Sequence, residues 1–127
     1  VNENVKRRWV EALRSGKYEQ GHGALRKRRY GSTDEYTYCC LGVLCELAAD
    51  EGVVEHGNPG YITDPNDPDS TYYMLPPPAV WKKWAGLSDV DPAVYEPSLD
   101  GPVSLTFLND TEKWTFEQIA TAIEEHL

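Results

Sequence analysis

A chain of 127 residues is the size of one domain, and on folding it should bury roughly two thirds of the surface exposed when unfolded, so one core over residues 1–127 is expected. A hydrophobic share of 40% with four Trp, eight Tyr and two Phe excludes a disordered chain, and no apolar run reaches the roughly 18–20 residues a membrane helix needs. The net charge of −9 is split: residues 1–30 hold nine Lys/Arg against three Glu, while residues 31–127 hold three against eighteen Asp/Glu.

In chain order, residues 4–15 read as a helix, with Val5, Trp9, Ala12 and Leu13 on one face, Asn4 as N-cap and Gly16 as stop. Gly21 and Gly23, one residue apart, predict a bend after Lys17-Tyr18-Glu19-Gln20. Arg29 to Tyr38 fits a hairpin around a polar turn, Gly31-Ser32-Thr33-Asp34. The run from Cys40 to Glu51 is apolar almost all round and ends at Gly52, which predicts a buried central helix.

Residues 56–71, rich in Gly, Pro, Asn and Asp, read as a long mobile loop, and Tyr72–Leu75 as a strand. Pro78–Ala85 predicts a short helix stopped by Gly86, with Val80, Trp81, Trp84 and Ala85 turned inward. Residues 88–110 lack a period and suggest a wrapping segment with one strand near Val103–Phe107. Thr115 and Gln118 spell a capping box for a last helix, Phe116–Leu127, with Trp114 and Ile119 as staple. The sum is an α+β domain of about four helices with a small antiparallel hairpin or sheet. Its expected core is Trp9, Leu13, Leu41, Leu44, Leu47, Trp81, Trp84, Phe116, Ile119 and Ile123.

Four segments together form a linked pattern: Arg14-Ser15-Gly16-Lys17-Tyr18-Glu19-Gln20-Gly21-His22-Gly23-Ala24-Leu25-Arg26, Tyr38-Cys39-Cys40-Leu41-Gly42-Val43-Leu44-Cys45, Leu75-Pro76 with Trp84-Ala85-Gly86-Leu87, and Leu108-Asn109-Asp110 before a closing helix. Over almost the whole chain this resembles a set of small accessory proteins encoded by tailed phages and prophages. The resemblance implies viral origin and a role in the host cytoplasm, binding something of the host such as a defence signal, and it carries no functional residues with it.

Among chemical constellations, the glycine-containing turn with its arginines is the most informative. Backbone N–H groups around Gly21 and Gly23, with Arg26 and Arg28 as phosphate donors and Tyr18 or Tyr30 to stack on a base, would suit an anionic nucleotide-like ligand, with Gln20 and His22 also lining it. The same arginines could instead pair with the acidic remainder. A phosphate-binding loop is excluded because no Lys-Ser/Thr pair follows the glycines.

A thiol hydrolase would use Cys40 at a helix start with His22 as base, against the reading of the three cysteines, Cys39, Cys40 and Cys45, as small buried hydrophobes. Their spacing fits no zinc pattern, and Asp64, Asn66, Asp67 and Asp69 read as Asx turns because an EF-hand's glycine and terminal glutamate are missing. No cofactor is implied. Three close-set cysteines predict no disulfide framework, and the opening Val1-Asn2-Glu3-Asn4, unlike a secretory signal, predicts a chain that stays inside the cell. The charge of −9 disfavours duplex nucleic acid, whereas an acidic face could mask a host protein. The leading expectation is a non-catalytic protein whose partner is an anionic small molecule or a host protein.

Overall fold

The computed structural model describes residues 1–31 and 34–127. Among the described residues, five helices, two single 3-10 turns and seven short strands form one α+β domain. Helix α1 (Glu3–Arg14) starts two residues from where pattern alone put its cap: Asn2 is the N-cap, its Oδ1 accepting from the N–H groups of Asn4 and Val5. Val5, Trp9, Val10 and Leu13 are buried, and Trp9 ties α1 to the next helix by donating from Nε1 to the Cys40 carbonyl at 2.9 Å.

Strands β1 (Arg26–Arg28) and β2 (Tyr36–Tyr38) pair antiparallel, Arg26 opposite Tyr38. The expected turn includes Ser32 and Thr33, which lie outside the described residues. Helix α2 (Cys40–Asp50) is the central helix, closed by Gly52 at φ +78°. Gly42 is where it meets the residue just before β1: a Cβ there would lie 1.7 Å from the Leu25 carbonyl oxygen, so only glycine lets the two backbones touch.

Residues 56–71, expected as a long loop, instead carry most of a three-stranded sheet, β3 (Glu55–His56), β4 (Tyr61–Ile62) and β5 (Thr71–Tyr72). Tyr61 anchors it, fully buried, with its hydroxyl donating to the Gly42 carbonyl at 3.2 Å and Glu46 at 2.9 Å. Two-residue strands leave no periodicity to read. The expected Asx turns are present: Asp64 accepts from the N–H of Asn66, and Asp67 from that of Asp69. The expected strand at Tyr72–Leu75 stops at Tyr72, and Tyr73, Met74 and Leu75 are exposed.

Helix α3 (Ala79–Trp84) is π-wound, with the Ala85 N–H donating to Val80. Trp81 and Trp84 are half-buried rather than core: Trp84 keeps its indole N–H at the surface, donating to Glu51 at 2.9 Å. The other expected core positions are buried.

In the stretch without a period, β6 (Ala93–Glu96) pairs with β7 (Gly101–Ser104) across a turn in which Asp100 is left-handed. The expected strand through Phe107 ends at Ser104, whose hydroxyl accepts the Phe107 N–H and starts a helix, α4 (Leu105–Asp110). Helix α5 (Phe116–His126) opens on the expected Thr115–Gln118 capping box. It packs along α1, and Arg14 reaches across to Glu117 and Glu124 at 3.1 and 3.2 Å.

Candidate functional site

The segment Lys17–Arg29 divides its side chains between two regions. Gln20 points into a closed seam with the α4–α5 connection, where its Nε2 donates to Asn109 Oδ1 at 2.9 Å and to the Trp114 carbonyl at 2.8 Å. Asn109 is fully buried and donates to the Gly21 carbonyl and to Asp110, while Asp110 accepts the Gly23 N–H at 3.0 Å. Gly21 is required because a Cβ would meet Thr37 Oγ1 at 2.3 Å, and Gly23 because its φ is +86°. The Gly23 N–H, expected to face an anion, is thus held by a carboxylate of the chain itself, and Gln20 is a structural residue of the seam.

The basic residues expected around an anion are also occupied internally. Arg26 is 8% exposed; its guanidinium lies 3.6 Å over the Tyr36 ring and donates to the Gly57 and Pro59 carbonyls at 3.4 and 3.3 Å. Arg26 Nε and Thr37 Oγ1 are buried without hydrogen-bond partners among the described residues. Arg28 donates to Asn58 Oδ1, Lys27 to the His22 carbonyl, and Arg29 pairs with Glu35 and Glu19 at 3.1 and 3.6 Å. Arg8 pairs with Glu51 at 2.7 Å. The basic quarter therefore docks on the acidic remainder at Arg8, Arg14 and Arg29. Tyr30, expected to stack on a base, is fully exposed.

The thiols are shut in. Cys40 is wholly buried and turns its Sγ toward the Leu105 carbonyl, and burial pushes it and Cys45 well above the ordinary thiol value. Cys39 caps α2 by accepting the Gly42 N–H at 3.4 Å, yet desolvation outweighs that bond and raises its pKa to about 11. Such thiols remain protonated at neutral pH, so the pairing of Cys40 with His22 as nucleophile and base is not supported.

One open region is a concavity of about 360 Å³ lined in part by the same segment. Tyr18, Tyr36 and Tyr38 wall it with rings, and Glu19, Glu35, Glu46 and Asp50 supply four carboxylates against the two cations Lys17 and Arg29. Tyr18 and Tyr38 meet edge to face at 5.4 Å, and the Lys17 ammonium sits 5.4 Å from the Tyr18 ring centre. Desolvation raises the hydroxyl pKa of both, keeping them neutral donors.

Glu46 and Asp50 stand one turn apart on α2. Glu46 accepts from Tyr61 and faces His56 Nε2 at 3.0 Å, whereas Asp50 is exposed and has no ion pair among the described residues. A larger groove, about 600 Å³, runs along α1; three acids and three bases line it, Val10 is its one apolar side chain, and no aromatic ring faces it.

Of the expected site residues, only Tyr18 lines the tyrosine concavity; Gln20, His22, Arg26, Arg28 and Tyr30 do not. The acids were the missed part. Glu46 is the lone charge inside an otherwise apolar stretch of helix, followed by Asp50 at i+4, and that was the signal available.

A family model described as a domain of unknown function (DUF8296) matches residues 1–127. No curated protein and no solved structure matches the chain.

Proposed function

The chain belongs to the DUF8296 family, and from that premise we propose that it is a non-catalytic binding protein whose ligand is a small organic cation taken up in the tyrosine concavity. The observation that carries the reading is the wall itself: three tyrosine rings and an excess of carboxylates around about 360 Å³. Ring faces carry negative quadrupole density and attract ammonium and guanidinium groups, and carboxylates lower the local potential further. The protein already uses one of these rings in that way, since the Arg26 guanidinium lies 3.6 Å over Tyr36.

An anion would meet the opposite environment there, and the arginines meant for it are committed elsewhere. The accessory role in a phage-infected host, carried by the motif resemblance, belongs to the same proposal: the cation would be a molecule of the host cell.

Titration calorimetry of the folded protein with putrescine, argininamide, AMP and cyclic AMP tests the reading. The two cations are expected to bind and the two nucleotides not. Asp50→Asn should weaken putrescine about tenfold, and Tyr18→Leu, which keeps packing but removes the π face, should cost about 0.5–1 kcal/mol. Nucleotide binding that Arg26→Ala abolishes would return the site to the basic turn and overturn the proposal.

A further inference from the structure

A second concavity, about 310 Å³, adjoins the first and shares three of its residues, Lys17, Tyr18 and Asp50. Its remaining wall is Arg8, Glu11, Ala12, Ser15 and Leu47, from the last turns of α1 and the middle of α2. Together the two make one furrow with Tyr18 at its waist. Resting on the cation reading above, we propose that the ligand is a linear polyamine lying along this furrow, with ammonium groups in both concavities and its methylene chain across Tyr18.

The distribution of charge along the furrow argues for length. Of these two concavities Glu46 lines only the first and Glu11, which also borders the groove along α1, only the second, while Asp50 lines both. Glu46 and Asp50 are separated by one helical turn, about 6 Å of rise, a spacing of the same order as an extended methylene spacer between two amines. The same walls also carry Leu47, Ala12 and Tyr18. Walls that combine several separated carboxylates with apolar and aromatic side chains are complementary to a chain that carries both ammonium and methylene groups, and not to a compact monocation.

Two acids on this path are unclaimed: Glu11 and Asp50 have no ion pair among the described residues. The cation on the wall of the second concavity alone, Arg8, is spoken for by Glu51. Lys17 stands at the waist with its ammonium 5.4 Å from the Tyr18 ring centre, in the place the proposal gives to the ligand. Binding therefore displaces an internal ammonium, and Lys17→Gln should tighten it.

Calorimetry with putrescine, spermidine and spermine at constant ionic strength tests the proposal, with a thermal melt of each variant to establish that it is folded. Affinity should rise about tenfold or more from putrescine to spermine, as amines held on one chain engage both concavities. Glu11→Gln should weaken spermine several-fold and leave putrescine unchanged, while Glu125→Gln, which removes the same charge outside both concavities, should change neither. Equal affinities for all three amines would confine the ligand to the first concavity, overturning the polyamine proposal and sparing the cation reading. A loss with Glu125→Gln equal to that with Glu11→Gln would reduce the effect to diffuse counterion attraction and overturn it too. If no amine binds, both readings fail.

Discussion

Tyr18 and Gln20 are two residues apart, yet they belong to opposite kinds of structure. Gln20 enters a seam in which Asn109, Gly21, Asp110 and Gly23 satisfy one another and Asn109 is wholly buried. Tyr18 faces a concavity whose carboxylates outnumber its cations and in which Asp50 has no ion pair among the described residues. Closed polar networks hold a fold together, and open ones are available to a ligand. A motif that is memorable as a string can therefore be mostly scaffold, with the chemistry on the neighbouring side chains.

The contrast can be broken by variants, beginning where the effect is largest. Gly42→Ala must push α2 away from Leu25, because its Cβ would sit 1.7 Å from a carbonyl oxygen; a loss of about 4 kcal/mol or more in urea unfolding is expected. Asn109→Ala removes the centre of the seam and strands the Gly21 carbonyl, at an expected cost of about 2–4 kcal/mol. In the concavity the same experiment should barely register. Asp50→Asn is expected to stay within about 0.5 kcal/mol of the parent while changing amine affinity. A large stability loss there would show that the acid is scaffold, and the contrast would collapse.

Smaller still is the pH response of Glu51. The hydrogen bond from Arg8 holds its carboxyl below the ordinary value of 4.5, with help from Trp84. A depressed folded pKa contributes stability above the unfolded value, and that stability is lost as pH falls through the folded one. Glu51→Gln should therefore flatten the acid limb of the stability profile below about pH 4.5, and leave its shape above pH 6 unchanged. Iodoacetamide labelling at pH 7 checks the interior in another way. With a pKa of about 11 the Cys39 thiolate is about one part in ten thousand, so folded protein should label far more slowly than unfolded protein.

Long patterns were legible in the sequence and short ones were not. Helices α1, α2 and α5 carry two or more turns of apolar spacing, and the capping box fixed the start of α5 to the residue. The sheet β3–β4–β5 is made of two-residue strands, too short to alternate, and is held by Tyr61 reaching Gly42 and Glu46. The start of α4 at Leu105 depends on the Ser104 cap, which the expected strand near Val103–Phe107 passes over.

The charge split was visible, but its meaning was not. Whether an arginine meets a phosphate or a glutamate depends on residues such as Glu51, Glu117 and Glu124, which lie far along the chain from Arg8 and Arg14. The acidic wall assembled by α2, β2 and the Lys17–Glu19 segment has the same origin in tertiary contacts.

The Gln20–Asn109 hydrogen bond joins positions 89 apart, and the Gln20–Trp114 bond positions 94 apart. Contacts of that separation carry a large loop-closure cost and form after the hairpins and helices they connect. The seam is therefore expected to act as a latch that closes late. Stopped-flow measurements on Gln20→Ala should show unfolding accelerated and folding nearly unchanged, so that the latch governs how long the native molecule lasts more than how fast it is made.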